Sequence, residues 1–393
     1  MSRLIIILLL VIVGPGVYTE AADSSTMPII AYMGIPNDKT EDRFFKDFSD
    51  CGFNVSLYGY ASLQQLTDAC NTARKHGVRI LGHCPETHNT PEQAAARLKD
   101  NPGFFGYVLE DEPSIDRIAQ LQKEIVRLKK VDDTHCFYIN LHAYYAEWTL
   151  LHTKSKTYEE YVDAALATSC RQLSFDYYPL THDGMRTTWY WNLELMRRKS
   201  MQAGIPFWGF VLSVPHAIYP QPTMGSLRVQ AYSNLAYGAQ AIQYFTYWTP
   251  QPEKENDFHD GPVDQQGRKT KTYALVKNMN RELRPIADLF YGAQVLSVGH
   301  LGKIPQGASR QATMPANLSA LKINGAKGAL ISTFKKAEHT YLAIVNKDHA
   351  GKMVVTVNAR NDIPRHLTSD LSEERMHQTY QVQEGDILLF KLS

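Results

Sequence analysis

Three consecutive carboxylates, Glu110, Asp111 and Glu112, end an apolar run of the chain. Carboxyl groups held close together can do acid–base chemistry, because one group stays protonated while another is ionised. Side chains alternate along a strand, so we expect Glu110 and Glu112 to share one face and Asp111 to lie on the other. The alternative is a solvated acidic loop that caps the helix starting at Ile115, since Asp111 and Ser114 are both suitable capping residues.

The element that positions these acids is the aromatic-rich run 104–110, which is typical of a strand buried in a parallel sheet. From residue 27 to residue 288 the chain alternates such runs with polar loops and amphipathic helical stretches. Eight strands alternating with helices predict an α/β protein, a (β/α)8 TIM barrel. An open doubly wound sheet is the main alternative, but its Gly-rich phosphate turn is missing from the sequence. The eight runs are 28–34, 53–58, 78–83, 104–110, 136–142, 172–178, 206–213 and 241–248.

The pattern changes after residue 288 to short β-type runs that Gly, Asn and Asp turns separate. This change predicts a smaller C-terminal antiparallel β-sandwich over residues 292–393. The sandwich region carries no pair of acids at a strand end. We therefore expect the chemistry in the barrel domain, residues 27–288.

Residues 1–22 have the parts of a cleavable signal peptide: a charge at Arg3, an apolar run from Leu4 to Val13, and small residues at Ala21 and Ala22. The apolar run is shorter than the roughly 20 residues that a membrane span needs. We therefore expect a secreted or periplasmic protein whose mature chain does not insert into a membrane.

The composition of the chain limits which partner molecules, disulfides and bound metals are expected. The 41 Lys and Arg residues nearly balance the 40 Asp and Glu residues, so no nucleic-acid partner is expected. The five cysteines are few for this length and predict buried thiols, although a Cys51–Cys70 bridge stays open. No motif indicates a cofactor, and the segment 83–88 lacks the second ligand pair of a zinc site, so no metal is expected. The sequence does not give the oligomeric state.

The C-terminal ends of barrel strands form the mouth at which such enzymes do their chemistry. The acidic triplet ends the fourth strand, and Asp176 ends the sixth strand. Aromatic rings and polar groups at other strand ends give a cup that suits a sugar, which stacks on rings and hydrogen-bonds to acids. The predicted substrate-binding residues are Asp111, Tyr58, His83, Glu86, His142, Tyr178 and Trp248.

Strand alternation also predicts which side chains point into this cup. On the second strand we expect Asn54, Ser56 and Tyr58 to form the polar inner side. The corresponding inner sets are 138, 140 and 142 on the fifth strand and 174, 176 and 178 on the sixth.

Glycoside hydrolysis needs two carboxyl groups beside one anomeric carbon, one of them protonated and the other ionised. Crowding within the triplet favours a protonated acid, and we predict that Glu112 is this acid. Its partner is Asp176, two strands away, or Glu110 on the same strand. A separation of about 5.5 Å would imply retention and about 6.5–9.5 Å inversion, and the sequence does not distinguish them.

At Asp111-Glu112-Pro113 the chain resembles the clan A glycoside hydrolases, barrels whose fourth strand ends in Asn-Glu-Pro. It looks most like family 42, the β-galactosidase-like barrels, through the segment 242–248 and the trailing β-sandwich. The resemblance implies that Glu112 is the acid/base and that Asp111 replaces the usual Asn. It also implies a nucleophilic Glu at the end of the seventh strand, but the segment 207–216 contains no acid.

Two functions follow from these patterns. The first is an exported glycoside hydrolase that acts on a neutral glycan or oligosaccharide, in which Asp176 replaces the missing nucleophile or the mechanism differs from that of the clan. The second is a non-catalytic carbohydrate-binding barrel, which the bare seventh strand favours. We do not infer β-galactosidase activity from the resemblance.

Overall fold

The computed structural model describes residues 26–146 and 157–393, so the predicted signal peptide lies outside the described residues. Ten strands precede the C-terminal sheets, and eight of them form a barrel. The ten strands are β1 (Ile29–Tyr32), β2 (Val55–Gly59), β3 (Arg79–His83), β4 (Phe104–Asp111), β5 (Cys136–Leu141), β6 (Leu173–Phe175), β7 (Leu180–Thr181), β8 (Gly184–Met185), β9 (Phe207–Leu212) and β10 (Ala241–Phe245).

The barrel is closed, and its strands run parallel in the order β1-β10-β9-β6-β5-β4-β3-β2. Strands β7 and β8 form a separate two-stranded hairpin between the sixth and seventh barrel strands. The predicted (β/α)8 fold is therefore confirmed, with each predicted apolar run forming one barrel strand.

At least one helix lies between each barrel strand and the next barrel strand along the chain. Gly204 and Gly238 end two of these helices with φ of 67° and 104°, a conformation that costs a residue with a Cβ more than it costs glycine. The helices are α1 (Asp42–Asp50), α2 (Leu63–Ala73), α3 (Pro85–Asn89), α4 (Pro91–Leu98), α5 (Ile115–Lys129), α6 (Tyr158–Leu166), α7 (Trp189–Ala203), α8 (Met224–Tyr237) and α9 (Lys271–Phe290).

Apolar side chains fill the lower part of the barrel interior. On β2 these are Val55 and Leu57, which pack in one cluster with Trp208 of β9. Ser56 points away and accepts the backbone N–H of Ile35 at 2.9 Å. The predicted inner position is therefore wrong for Asn54 and Ser56, because their polar groups satisfy neighbouring backbone while Val55 and Leu57 fill the interior.

A buried polar network lies above the apolar layer. The Ser174 hydroxyl donates to Oδ1 of Asn140 at 2.8 Å, and Nε2 of Gln243 donates to the Ser174 oxygen at 2.8 Å. Tyr138 donates to Gln243 at 2.8 Å. These bonds confirm that Tyr138, Asn140 and Ser174 point inward, and they fix the strands that carry the mouth residues.

Strand β4 contains a β-bulge just before the acidic triplet. Val108 pairs with Tyr138 of β5, and Glu110 pairs with the next residue, Ile139. Leu109 is therefore an extra residue on β4 without a counterpart on β5. Such an insertion shifts the inward and outward alternation of the strand by one position.

The bulge decides which acid faces the mouth. Beyond it, Asp111 pairs with the inward-pointing Asn140, so Asp111 and not Glu110 takes the inner position. Glu112 then has φ of 48°, which turns the chain again at the strand end. The prediction that Glu110 and Glu112 share one face is wrong for these two reasons.

The C-terminal region forms two antiparallel sheets, which confirms the predicted β-sandwich. Their strands are β11 (Gln294–Leu301), β12 (Leu318–Asn324), β13 (Ala329–Lys336), β14 (His339–Asn346), β15 (Met353–Ala359), β16 (Arg365–Leu367), β17 (Glu373–Arg375), β18 (Thr379–Val382) and β19 (Ile387–Lys391). One sheet has the order β11-β13-β14-β19-β16-β17 and the other β12-β15-β18. Buried residues between the sheets include Ile331, Ile344, Val355 and Phe390.

The sandwich also packs on the barrel. Phe334 stacks on Phe290 of the last barrel helix with ring centroids 4.1 Å apart, and it belongs to the same apolar core as the barrel helices. The predicted barrel domain ends at residue 288, inside helix α9, which ends at Phe290, and the predicted sandwich begins at residue 292, just before strand β11 starts at Gln294.

All five cysteines are free thiols, and Cys51, Cys70 and Cys84 are buried. The Cys51–Cys70 bridge is therefore not formed. Across residues 26–146 and 157–393, no helix combines the length and the apolar character needed to cross a membrane.

Candidate active site

Three carboxylates converge at the barrel mouth: Asp111 at the end of β4, Glu112 directly after it, and Asp176 directly after β6. The side chains of Asp176 and Glu112 share a hydrogen bond. The Glu112 side chain is 40% exposed, so a substrate can reach the pair from the mouth. The structure thus brings together two of the three acids that the sequence predicted to be catalytic.

The surroundings of Asp176 favour the protonated form of its carboxyl group. Burial, followed by the negative charges of Glu112 and Asp111, raises the pKa of Asp176 well above its usual range. Its Oδ1 atom is buried and has no hydrogen-bond partner among the described residues. These neighbours favour Asp176 as the protonated member of the pair, whereas the sequence analysis predicted that Glu112 is the protonated acid.

Asp111 lies deeper in the mouth than its neighbours in the triplet. Nδ2 of Asn140 donates to its Oδ1 atom at 3.1 Å, and the Tyr32 hydroxyl also bonds to it. Burial raises the pKa of Asp111, and these two hydrogen bonds partly offset the effect. Asp111 is therefore a third carboxyl group at the mouth, and hydrogen bonds from Asn140 and Tyr32 hold it beside the Asp176–Glu112 pair.

His142 contacts Glu112 directly. Its Nδ1 atom lies 2.9 Å from Oε1 of Glu112, so the imidazole fixes the direction of this carboxylate. The predicted substrate-binding role of His142 stays a prediction, and its described contact is with the acid.

Tyr161 of helix α6 joins the two loops that carry these groups. Its hydroxyl donates to the carbonyl oxygen of Pro113 at 2.9 Å and accepts the backbone N–H of His142 at 3.4 Å. Tyr158 adds a bond of 2.6 Å to the His142 carbonyl oxygen. Helix α6 thereby holds the segments after β4 and β5 at a fixed separation.

Glu110 points away from the pair. Nε of Arg117 lies 2.8 Å from Oε2 of Glu110, and Nη1 of the same arginine lies 2.7 Å from Glu124. Glu124 in turn contacts His88 at 3.4 Å. Glu110 thus belongs to an ion-pair network with Arg117 and Glu124 of helix α5, and it does not contact Asp176.

A cavity of about 460 Å³ lies beside the carboxylates, which is a size that suits a sugar-sized ligand. The predicted residues Tyr58 and His83 are on its wall, and burial lowers the pKa of His83. A Cβ at Gly59 would approach the His83 ring to 2.7 Å, so glycine is needed there for the ring to fit. The cavity is lined by Tyr32, Met33, Leu57, Tyr58, Gly59, His83, His88, Val108, Leu109, Glu110, Asp111 and Arg117.

The other predicted binding residues have different surroundings. Glu86 accepts the Leu63 backbone N–H at 3.1 Å, and its backbone hydrogen bonds lower its pKa. The Trp248 indole packs edge-on against Phe44, with ring centroids 5.4 Å apart. The roles predicted for Glu86 and Trp248 stay predictions, because the contacts described for both side chains are with protein groups.

Tyr178 does lie at the mouth, with its ring 5.7 Å from those of Tyr219 and Phe245. The sequence analysis did not select Tyr219, Phe245 or Tyr32. Tyr32 and Phe245 occupy the last positions of β1 and β10, so a strand-end rule applied to every strand would have found them. Tyr219 lies in a loop, where the sequence carries no comparable signal.

The end of the seventh barrel strand, β9, carries no acid. Ser213 follows it and donates to the Thr246 carbonyl oxygen at 2.7 Å. Asp176 follows β6, and β6 pairs directly with β9. The second carboxylate of the mouth therefore comes from the neighbouring strand.

Residues 129–286 match the model of glycoside hydrolase family 42, described as β-galactosidase. The fold is similar to that of a β-galactosidase from Bacillus circulans sp. alkalophilus, with 10% identity, TM-score 0.61, and 94% of this chain and 99% of that chain covered. It is also similar to a catalytic mutant of Gan42B, a GH42 β-galactosidase from G. stearothermophilus, with 9% identity, TM-score 0.63, and 94% and 98% covered. A β-galactosidase from the psychrophilic Marinomonas ef1 gives 9% identity, TM-score 0.55, and 93% and 100% covered.

No curated protein matches the chain. At such low identities the solved structures show a shared fold, and the family match adds the enzyme class. The chain is a glycoside hydrolase by class. Within that class it resembles the family 42 barrels, as its fourth-strand motif and trailing sandwich predicted.

Proposed function

We propose that this chain is an exported hydrolase that cleaves a glycosidic bond with Asp176 as the general acid and Glu112 as the partner carboxylate. The observation that carries the proposal is the contact between the side chains of Asp176 and Glu112 at the open mouth of the barrel, where burial and neighbouring charges raise the pKa of Asp176. Glycoside hydrolysis needs this combination of one protonated and one ionised carboxyl group. The signal-peptide pattern of residues 1–22 supports export.

In the proposed reaction the glycosidic oxygen replaces Glu112 as the acceptor of the Asp176 proton. The leaving group departs with that proton, and the Glu112 carboxylate, directed by His142, bonds to the anomeric carbon. Water then attacks this carbon, gives its proton to Asp176, and releases Glu112. Carboxyl groups close enough to share a hydrogen bond favour this retaining route over the wider separation, about 6.5–9.5 Å, of inverting enzymes.

The clan resemblance gives the opposite assignment, with Glu112 as acid/base. Local electrostatics favour Asp176, because burial and two neighbouring charges keep its proton in place. The two assignments use the same pair of residues and differ in which of them bonds to the sugar.

The solved structures named above are β-galactosidases, so aryl β-galactosides are the first substrates to test. Replacing Glu112 by Gln keeps the size of the side chain and removes its charge. We expect kcat/KM to fall by about a thousandfold or more while the protein stays folded. Glu92→Gln is the matched control: its exposed carboxylate pairs with Arg127 between the outer helices α4 and α5, so the rate should change by less than about twofold.

The second candidate function, a non-catalytic carbohydrate-binding barrel, is motivated by the acid-free end of β9. It predicts no hydrolysis by the wild type and similar sugar affinity in the wild type and the Glu112→Gln variant. Hydrolysis by the wild type that depends on Glu112 would exclude this alternative.

A further inference from the structure

Arg186 lies at the barrel mouth and has no counter-ion among residues 26–146 and 157–393. It follows the β7–β8 hairpin, and its guanidinium carbon lies 4.1 Å from the centroid of the Tyr145 ring. Its Nη2 atom donates to the Tyr219 hydroxyl at 3.3 Å. Its Nε atom is buried and has no partner, and none of the ion pairs among the described residues includes Arg186.

Four of the five N–H donors of this guanidinium therefore lack a protein acceptor within the described parts of the chain. A buried donor left unsatisfied costs about 1–3 kcal/mol, so such donors are rare in folded proteins. Other arginines of the barrel are paired: Arg117 bonds to Glu110 and Glu124, and Arg228 bonds to Glu282. The free donors of Arg186 are thus available for a ligand.

The aromatic neighbours of Arg186 place it beside the catalytic pair. The hydroxyls of Tyr145 and Tyr219 share a hydrogen bond, and Tyr219 packs edge-on against Tyr178. The Tyr145 ring also packs edge-on against Tyr177, the residue after Asp176, with ring centroids 5.0 Å apart. Tyr145 therefore connects the guanidinium to the segment that carries the acid.

We propose that Arg186, with Tyr145 and Tyr219, binds an anionic oxygen group of the substrate, a carboxylate or a sulfate ester, in the subsite next to Asp176. This inference rests on the proposed function, since it assumes that the mouth receives a glycan. A guanidinium donates two parallel hydrogen bonds to such groups, and its stacking on a tyrosine ring fixes its orientation. The sequence analysis expected a neutral glycan without considering this local site.

The test compares the binding of galacturonate, galactose 6-sulfate and galactose, measured by calorimetry at low salt. We expect the wild type to bind one of the acidic sugars about tenfold or more tightly than galactose, the effect of a hydrogen bond to a charged group. Arg186→Gln should bring this ratio close to one. Arg198→Gln is the control, because Arg198 is an exposed residue of α7 that pairs with Glu159, and the ratio should not change.

Two further measurements keep the test independent of folding defects. Arg186→Lys retains the charge without the planar fork, so the ratio should be intermediate. In the wild type, raising the salt concentration should lower the ratio, since screening weakens exposed charge interactions. The sugar that binds more tightly identifies the group as a carboxylate or a sulfate.

The proposal is overturned if neither acidic sugar binds, if galactose binds as tightly as both, or if the preference survives in Arg186→Gln. Hydrolysis of neutral aryl galactosides is measured separately. Hydrolysis without an acidic preference would contradict only the role of Arg186. A preference that depends on Arg186 without any hydrolysis would contradict only the proposed reaction.

Discussion

The surroundings of Asp176 raise its pKa, and this has a consequence for stability. Its pKa is raised in the folded chain by burial and by the charges of Glu112 and Asp111. At pH values between the ordinary and the raised pKa, the folded state binds more protons than the unfolded state. The contribution of this group to stability is therefore present at acidic pH and is lost as the pH rises through that window.

The substitution Asp176→Asn removes this pH dependence while keeping a donor for Glu112. We expect the melting temperature of the variant, relative to the wild type, to increase from pH 4 to pH 7, with a gain of roughly 2 °C or more at neutral pH. Scanning calorimetry across this range measures the difference. Asp183→Asn, a change in the exposed hairpin turn, is the control. A difference that stays constant or shrinks with pH would show that Asp176 is not held protonated.

At the scale of elements, helix α6 positions the acids through the hydrogen bonds that Tyr158 and Tyr161 make with the segments after β4 and β5. Tyr161→Phe removes the two hydrogen bonds that join Pro113 to His142. We expect kcat to fall by about tenfold with KM nearly unchanged, because each bond is worth about 1 kcal/mol and orients Glu112, not the sugar. Steady-state kinetics separate the two parameters.

The control for this variant is Tyr190→Phe, which removes a buried hydroxyl bonded to Ser233 between outer helices. It should lower stability to a similar extent and leave kcat within about twofold. Equal losses of kcat in both variants would mean that Tyr161 acts only through overall stability.

The elements themselves could be predicted from the sequence, because buried strands and amphipathic helices have different apolar periods. Which side chains of β4 point into the barrel mouth could not be predicted. The alternation rule assumes an uninterrupted strand, and nothing in the run 104–110 marks Leu109 as the extra residue of a bulge. Because of this one extra residue, Asp111 takes the inward position that an uninterrupted alternation assigns to Glu110.

The pairing of Asp176 with Glu112 could be predicted, since both end barrel strands and such ends meet at one mouth. The position of the proton could not, because it depends on burial and on distances between strands that lie far apart in sequence. Arg186 was also missed. Its role depends on lacking a partner, and a sequence does not show which charges are paired.

At the scale of the molecule, the barrel and the sandwich share one apolar core through Phe290 and Phe334. We expect Phe334→Ala to destabilise the protein by about 3–5 kcal/mol, because the ring is fully buried and its removal leaves a cavity. Both regions should unfold together in a single calorimetric transition. Ile363→Ala, at a side chain that is 55% exposed, should change stability by less than about 0.5 kcal/mol. Separate transitions for the two regions would contradict a shared core.

The most direct test of the assigned pair extends the hydrolysis assay to Asp176→Asn with aryl β-galactosides of decreasing leaving-group acidity. If Asp176 protonates the leaving oxygen, this variant should keep most of its kcat/KM, which reports the step that expels the leaving group, on the most acidic phenol and lose about a hundredfold or more on the least acidic. Glu112→Gln should lose activity equally across the series. The reverse pattern, with a dependence on leaving group in Glu112→Gln and a uniform loss in Asp176→Asn, would contradict the assignment of the proton to Asp176.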